Sequence, residues 1–229
     1  MSLNHQNKIL KNHGLVVGAV LLVLAIAPSV SADRIVGVSA TTNMGSGFGT
    51  NLINTVNGVG LSSLSLTATH EGSIPPNSWV SNQGVLTGEI TFSLGGLHSV
   101  DSFSFWNQNG GGPGANGTSG IRDVQVLTST NGILFTPLVG GPSSFAQVTG
   151  STNLPPQIFS FAAVNATHFR FMVLSNWGET QLFNVTGFAE VGFNRAGVAA
   201  VPEPATMLLL GTGLTGLVAR VIRRRTIRK

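Results

Sequence analysis

The chain contains no cysteine and no tyrosine, and only 9% of its 229 residues are charged. Without cysteine there is no disulfide framework, no thiol nucleophile and no thiolate ligand for a metal ion. Glycine is abundant instead, with 30 residues, and serine, threonine and asparagine are frequent. This composition is typical of a loop-rich, all-β domain of an exported protein.

The excess of positive charge lies at the two ends of the chain. The whole sequence has a formal net charge of +4 and a pI of about 10.7, values that usually suggest a nucleic-acid or anionic partner. Residues 33–200, however, contain four arginines, no lysine and seven acidic residues, a net charge of −3. Because the region able to form a domain carries no excess of positive charge, the sequence argues against a nucleic-acid partner.

Residues 1–32 have the organisation of a secretory signal peptide. Lys8 and Lys11 precede an uncharged run rich in leucine, valine and alanine at residues 14–27. Val30 and Ala32 then supply the small residues three and one positions before a cleavage site, so we expect the mature chain to begin after Ala32. An uncleaved signal anchor is the alternative, although this run is shorter than the roughly 20 residues that span a bilayer.

Residues 198–229 combine three features in a fixed order. A Pro202-Glu203-Pro204 triplet is followed by an uncharged stretch at residues 205–219 and then by a basic cluster that includes Arg223, Arg224 and Arg225. The stretch predicts a single short transmembrane helix of about 22 Å, since each helical residue adds about 1.5 Å. The basic cluster should remain in the cytoplasm.

This tail resembles the PEP-CTERM sorting signal of Gram-negative bacteria that make exopolysaccharide. The resemblance implies an exosortase as processing partner and a membrane association through the helix that precedes processing. It also implies export, with a transient stay in the inner membrane before delivery to the cell surface or to an extracellular matrix such as that of a biofilm.

Residues 33–197 show the two-residue alternation of β-strands. Apolar and polar residues alternate around Ile90 and Phe92, around Val124 and Val126, and around Phe169. No amphipathic stretch of helical length interrupts them, so we predict a two-sheet antiparallel β-sandwich. A turn at Thr130-Asn131-Gly132 predicts a hairpin. Two long polar segments, residues 107–120 and 140–156, are predicted as functional loops or surface excursions.

The order of short landmarks along this region resembles the discoidin group of galactose-binding-like jelly rolls, the coagulation-factor C-type domains. The similarity covers roughly residues 35–194 and implies an all-β jelly-roll fold that binds carbohydrate or lipid head groups through loops at one end. It also implies a structural calcium ion near the start of the domain. The landmarks are Asn57-Gly58-Val59-Gly60-Leu61, His70, Trp79-Val80-Ser81, Gly88-Glu89-Ile90, Phe105-Trp106-Asn107, Gly120-Ile121-Arg122-Asp123-Val124, Thr128-Ser129-Thr130-Asn131-Gly132, Phe169-Arg170-Phe171 and Glu190-Val191-Gly192-Phe193.

Candidate ligand residues are aromatic and planar polar side chains at strand ends and in loops. Sugars stack their C–H faces on aromatic rings, and amide, histidine or arginine groups hold their hydroxyls. Trp177 is the first choice, whereas Trp79 is expected to pack beneath a loop. The predicted ligand residues are Trp177, Asn176, Trp106, Asn107 and His70.

For calcium, the positions that match the resemblance are Asn54, Asn57 and Glu190, since calcium prefers oxygen ligands. Asn57-Gly58 stands where the family often has Asp-Gly, which weakens this prediction. The histidines show no zinc-ligand spacing, and no nucleophile motif occurs. We therefore expect no catalytic residues and no enzymatic activity.

The sequence thus predicts an exported, non-enzymatic protein of the cell surface or extracellular matrix that binds carbohydrate, specifically the exopolysaccharide of the producing cell. The alternative is a structural matrix or surface-coat protein without a specific ligand.

Overall fold

The computed structural model describes residues 33–73, 76–109, 115–150, 153–178 and 183–197. Within these ranges the chain forms two 3₁₀ turns, Leu52–Thr55 and Ala115–Gly117, and eight β-strands. The strands are β1 (Asp33–Arg34), β2 (Ser39–Thr42), β3 (Trp79–Val80), β4 (Gly88–Asn107), β5 (Val124–Ser129), β6 (Thr136–Pro137), β7 (Gln157–Val173) and β8 (Gly187–Arg195). The predicted signal peptide (residues 1–32) and sorting tail (residues 198–229) lie outside the described residues.

The strands pair antiparallel throughout, and the two longest of them hold the fold together. β4 and β7 pair along nearly their whole length, and the main interruption is a register shift between Ser93 and His98. Before this shift β4 also pairs with β2, and beyond it β4 pairs with β8. The first half of β4 therefore belongs to one layer with β2, β5 and β6, and its second half belongs to another layer with β8, β1 and β3.

Phenylalanine rings fill the space between the two layers. Phe92 on the first half of β4 has its ring centroid 5.6 Å from that of Phe193 on β8, although these strand segments are not sheet neighbours. Phe169 approaches Phe193 at 4.8 Å in the same way. Contacts of this kind are those of two facing sheets that bury their inner alternating residues. The predicted all-β antiparallel sandwich is confirmed.

The long polar segment at residues 140–156 contributes to the core, contrary to the expectation of a surface excursion. Phe145 is fully buried, and its ring stacks on Phe105 with the centroids 3.9 Å apart. The Phe145 amide donates to the Arg122 carbonyl oxygen. A single aromatic residue thus anchors a segment whose remaining composition is that of a loop.

The predicted hairpin is present between β5 and β6. Gly132 has a φ of +72°, a left-handed conformation that glycine adopts without steric cost. A Cβ at this position would also lie 2.8 Å from the His168 ring. In the described part of the chain, no helix is long and apolar enough to cross a membrane.

Candidate functional site

The loops that surround Trp177 form one end of the sandwich. Trp177 follows β7, and its amide donates to the carbonyl oxygen of Gly120 in the loop before β5. Gly187, at the start of β8, pairs with Val80 of β3 and donates to Ser119. The ends of four strands therefore meet here, and we call this end of the domain the rim.

Trp177 is held in place while part of its ring remains accessible. Its indole N–H donates to the Phe145 carbonyl oxygen at 3.0 Å, and the side chain is half-buried. The guanidinium carbon of Arg122 lies 5.9 Å from the centre of the ring, within the range of a cation–π contact. Of the three tryptophans, Trp177 alone keeps an accessible surface, so the structure places this predicted ligand residue where a ligand could reach it.

Arg122 is oriented by a neighbouring carboxylate. Asp123 Oδ2 accepts hydrogen bonds from Ser175 Oγ at 2.6 Å and from Arg122 Nε at 3.0 Å. The Ser175 hydroxyl, and then the Arg122 guanidinium, hold the pKa of Asp123 below its ordinary value, so the carboxylate stays ionised in neutral and mildly acidic solution. About 43% of the Arg122 side chain is exposed. The rim thus presents a fixed guanidinium beside an aromatic ring, a pairing suited to sugar hydroxyls.

A second aromatic group at the rim was not predicted. Phe48 is 47% exposed, and its ring makes an edge contact with Phe183 at 5.6 Å. The neighbouring Gly47 amide donates to the carbonyl oxygen of Val80, which places Phe48 at the same end as Trp177. Phe48 also has a left-handed φ of 52°, which is uncommon for a bulky residue. The signal in the sequence was a phenylalanine between two glycines in an otherwise small, polar loop.

The structure buries Trp106 and Asn107, two of the predicted ligand residues. Trp106 is 3% exposed and donates through its indole N–H to the Ala68 carbonyl oxygen at 3.0 Å. Asn107 donates to the carbonyl oxygens of Ile121 and Ala146, and its own side-chain oxygen accepts two backbone amides. The segment around Ala68 covers the outer face of β4, so both faces of the strand are buried at this point.

Asn176 and His70 also lie inside the domain. The Asn176 side chain donates to the Val185 carbonyl oxygen and accepts from the Gly178 amide, which fixes the turn that carries Trp177. His70 Nδ1 lies 2.7 Å from the Glu71 carbonyl oxygen, and burial lowers the pKa of His70 below its ordinary value. Both residues are placed to support the loops, and neither is placed to present its side chain to a ligand.

The residues predicted for calcium do not fit that ion as they are arranged. Glu190 is fully buried, and its Oε1 accepts hydrogen bonds from Arg34 Nη2 and from the Gly58 amide. Asn57 is exposed, and its side-chain oxygen accepts from the Val59 amide. The Asn54 side chain makes no hydrogen bond with Asn57 or Glu190. A guanidinium already supplies the positive charge beside Glu190, and it would repel a divalent cation there.

Burial raises the pKa of Glu190 to about 7, against the opposing effects of Arg34 and the Gly58 amide. Among the residues that the structure describes, no group of three or more histidine, aspartate or glutamate side chains could hold a metal ion. The Arg34–Glu190 ion pair instead joins β1 to β8 and to the loop at Gly58.

Solved structures similar to this chain include several carbohydrate-binding modules of family 32. The module CpGH89CBM32-5 from Clostridium perfringens, solved with GalNAc-β-1,3-galactose, is 15% identical, with 70% of this chain and 99% of that chain covered and a TM-score of 0.46. The module CBM32-1 of a Clostridium perfringens family 31 glycoside hydrolase is 10% identical, with 71% and 96% covered and a TM-score of 0.49. The family 32 module of Clostridium perfringens NanJ, solved with galactose, is 13% identical, with 69% and 93% covered and a TM-score of 0.43.

No curated protein matches the chain. One family model does match, and it describes the PEP-CTERM protein-sorting motif over residues 200–225. This range contains Pro202, Glu203 and Pro204, the apolar stretch and the arginines at 223–225. The predicted sorting signal is confirmed, and it indicates export and sorting to the cell surface: the chain carries a PEP-CTERM protein-sorting motif behind an all-β domain.

Proposed function

We propose that this protein is an exported, non-enzymatic carbohydrate-binding protein of the cell surface or extracellular matrix, and that its ligand contacts the rim at Trp177. The observation that carries the proposal is the fixed and accessible indole of Trp177 with Arg122 beside it. An aromatic face with an adjacent planar donor is the usual means of holding a sugar ring and its hydroxyls. The domain's few charges suit a neutral, hydroxyl-rich polymer. We propose that the ligand is the exopolysaccharide of the producing cell.

Binding is tested with the full chain in a detergent that has no sugar headgroup. Three probes are used: galactose, GalNAc-β-1,3-galactose and the exopolysaccharide of the producing cell. The first two are the sugars in two of the similar structures. We expect Trp177→Ala to weaken binding by roughly tenfold or more, because loss of a stacking ring removes on the order of 1–3 kcal/mol. The free energy of unfolding should change little.

Leu174→Ala is the matched control, since Leu174 is an exposed apolar residue three positions earlier. This variant should bind as the unmodified chain does. Equal binding by the unmodified chain and Trp177→Ala would contradict a site at the rim. If none of the probes is retained, the alternative of a structural matrix or coat protein is favoured.

Sorting is tested separately. We propose that an exosortase cleaves near Pro202-Glu203-Pro204 after the C-terminal helix has held the protein transiently in the inner membrane. Mass spectrometry of the mature surface protein should then find no peptide that contains residues 223–229. Recovery of that segment on the mature protein from cells with an active exosortase would contradict this processing.

A further inference from the structure

A cavity of about 270 Å³ lies beside the β5–β6 hairpin, away from the rim. It is lined by Thr128, Ser129, Thr130, Asn131, Leu134, Thr136 and Asn165. We call it the hairpin pocket. Residues of β5, the turn, β6 and β7 all contribute to its wall, so it is built by segments that are distant in sequence.

The hairpin pocket and the rim lie at opposite ends of β5. The strand begins at Val124, directly after Arg122 and Asp123 of the rim, and it ends at Ser129 in the pocket wall. At about 3.3 Å per residue, roughly 17 Å separate the two ends of this strand. A single sugar ring could therefore not occupy both places.

Hydrogen bonds within the turn fix the shape of the pocket. Ser129 Oγ accepts from the Asn131 and Gly132 amides at 3.2 and 2.9 Å. The Asn131 side-chain oxygen accepts from the Ile133 and Leu134 amides at 2.9 and 3.0 Å. Because these bonds hold the turn before any ligand arrives, binding would cost little ordering of the chain.

The chemistry of the lining suits a neutral, hydroxyl-bearing ligand. None of the seven lining residues is charged. The side chains of Thr128, Thr130, Thr136 and Asn165 make no hydrogen bond with another described residue, so their hydroxyl and amide groups are free to exchange water for a ligand. Leu134 adds an apolar wall and is 73% exposed, so its side chain is accessible to a ligand.

The size of the pocket limits what can enter. Its volume is slightly below the roughly 300 Å³ at the lower end of small-molecule pockets, which leaves room for one sugar ring. The C–H face of such a ring would pack on Leu134, and the threonine hydroxyls and the Asn165 amide would bond its hydroxyls.

We propose that the hairpin pocket is a second carbohydrate site that binds one ring of the same neutral polysaccharide. The proposal rests on the carbohydrate-binding function proposed above and extends it, because two sites at opposite ends of the domain make the protein bivalent. Once the rim holds a polymer, the second ring binds at a high effective concentration, or a second polymer chain is cross-linked.

The test is the number of sugars bound per chain. Isothermal titration calorimetry with galactose on the full chain, in a detergent without a sugar headgroup, should find two sites. Trp177→Ala and the double variant Thr136→Val/Asn165→Ala should each retain one site, and their combination should retain none. Retention on the exopolysaccharide of the producing cell should fall by roughly tenfold or more in either variant. Thr41→Val, an exposed strand threonine outside the pocket, should keep both sites.

The outcomes separate this proposal from the proposed function. One site that is lost in Trp177→Ala and kept in Thr136→Val/Asn165→Ala would overturn the second site and leave the rim site standing. One site that is lost in Thr136→Val/Asn165→Ala and kept in Trp177→Ala would support binding at the hairpin pocket and overturn the proposed site at the rim. A chain that binds neither galactose nor the exopolysaccharide would overturn both. Unchanged melting temperatures of the variants would confirm that the substitutions leave the fold intact.

Discussion

Trp106 and Trp177 make the same kind of hydrogen bond, but only Trp177, at the rim, remains accessible. Each indole N–H donates to a backbone carbonyl oxygen at 3.0 Å. Trp106, however, is covered on both sides of its strand, whereas Trp177 keeps part of its ring accessible beside Arg122. An indole hydrogen bond therefore says little about function, and the cover over the ring decides whether the residue stabilises the fold or can also meet a ligand.

The comparison is tested most strongly by Trp106→Ala. Removing a buried tryptophan should lower the free energy of unfolding by about 3–5 kcal/mol, which urea denaturation followed by circular dichroism would measure. Trp177→Ala serves as the control and should cost about 1 kcal/mol or less. A comparable loss of stability in the two variants would contradict the distinction between a structural and an accessible indole.

A second test concerns the buried Glu190, which belongs to the structural side of the comparison. Its pKa is raised from an ordinary 4.5 to about 7, so the folded chain binds a proton that the unfolded chain releases. Stability from this group is therefore fully present below pH 4.5 and is lost as the pH rises to about 7, by on the order of 3 kcal/mol. Thermal unfolding over this pH range should show the decrease.

Glu190→Gln should remove this decrease, because the amide does not titrate. Glu89→Gln is the matched control, because Glu89 also pairs with an arginine, Arg170, but is partly exposed. A decrease that persists in Glu190→Gln would contradict the assignment to this carboxyl. The same variants measured with calcium and with a chelator should unfold at equal temperatures, since the Arg34 guanidinium lies where a cation would be needed.

The smallest expected effect is at the rim itself. Asp123→Asn removes the charged partner that orients Arg122, so sugar binding should weaken by roughly two- to fivefold while the melting temperature stays nearly constant. Titration calorimetry would measure the difference. Ser175→Ala, which removes the hydroxyl bond to the same carboxylate, should have a weaker effect in the same direction. No change in binding in either variant would show that the orientation of Arg122 is irrelevant.

Sequence patterns with local causes were predictable. The alternation around Phe92, Val126 and Phe169 identified strands because each inner face is buried by the opposite layer. The hairpin at Asn131-Gly132 and the sorting motif at residues 200–225 were also readable, because each depends on adjacent residues only.

Features that depend on distant segments were not predictable. Trp106 lies on the strand face opposite to Phe103 and Phe105, and it is buried against the segment at Ala68, 38 residues earlier, whose carbonyl oxygen accepts its indole N–H. Periodicity along one strand contains no information about such a cover. Phe145 lies in the core although its segment has the composition of a loop, for the same reason. The Arg34–Glu190 pair likewise joins residues that are 156 positions apart in the sequence.

The direction of β8 has a consequence for how the domain is displayed. The strand begins at Gly187 on the rim and ends at Arg195, roughly 26 Å away at about 3.3 Å per residue, where Arg195 pairs with Asp33. The first and last described segments therefore meet at the end of the domain that is farthest from Trp177. A ligand held at the rim would therefore be separated from residues 196 and 197, which lead into the sorting tail, by the full length of β8.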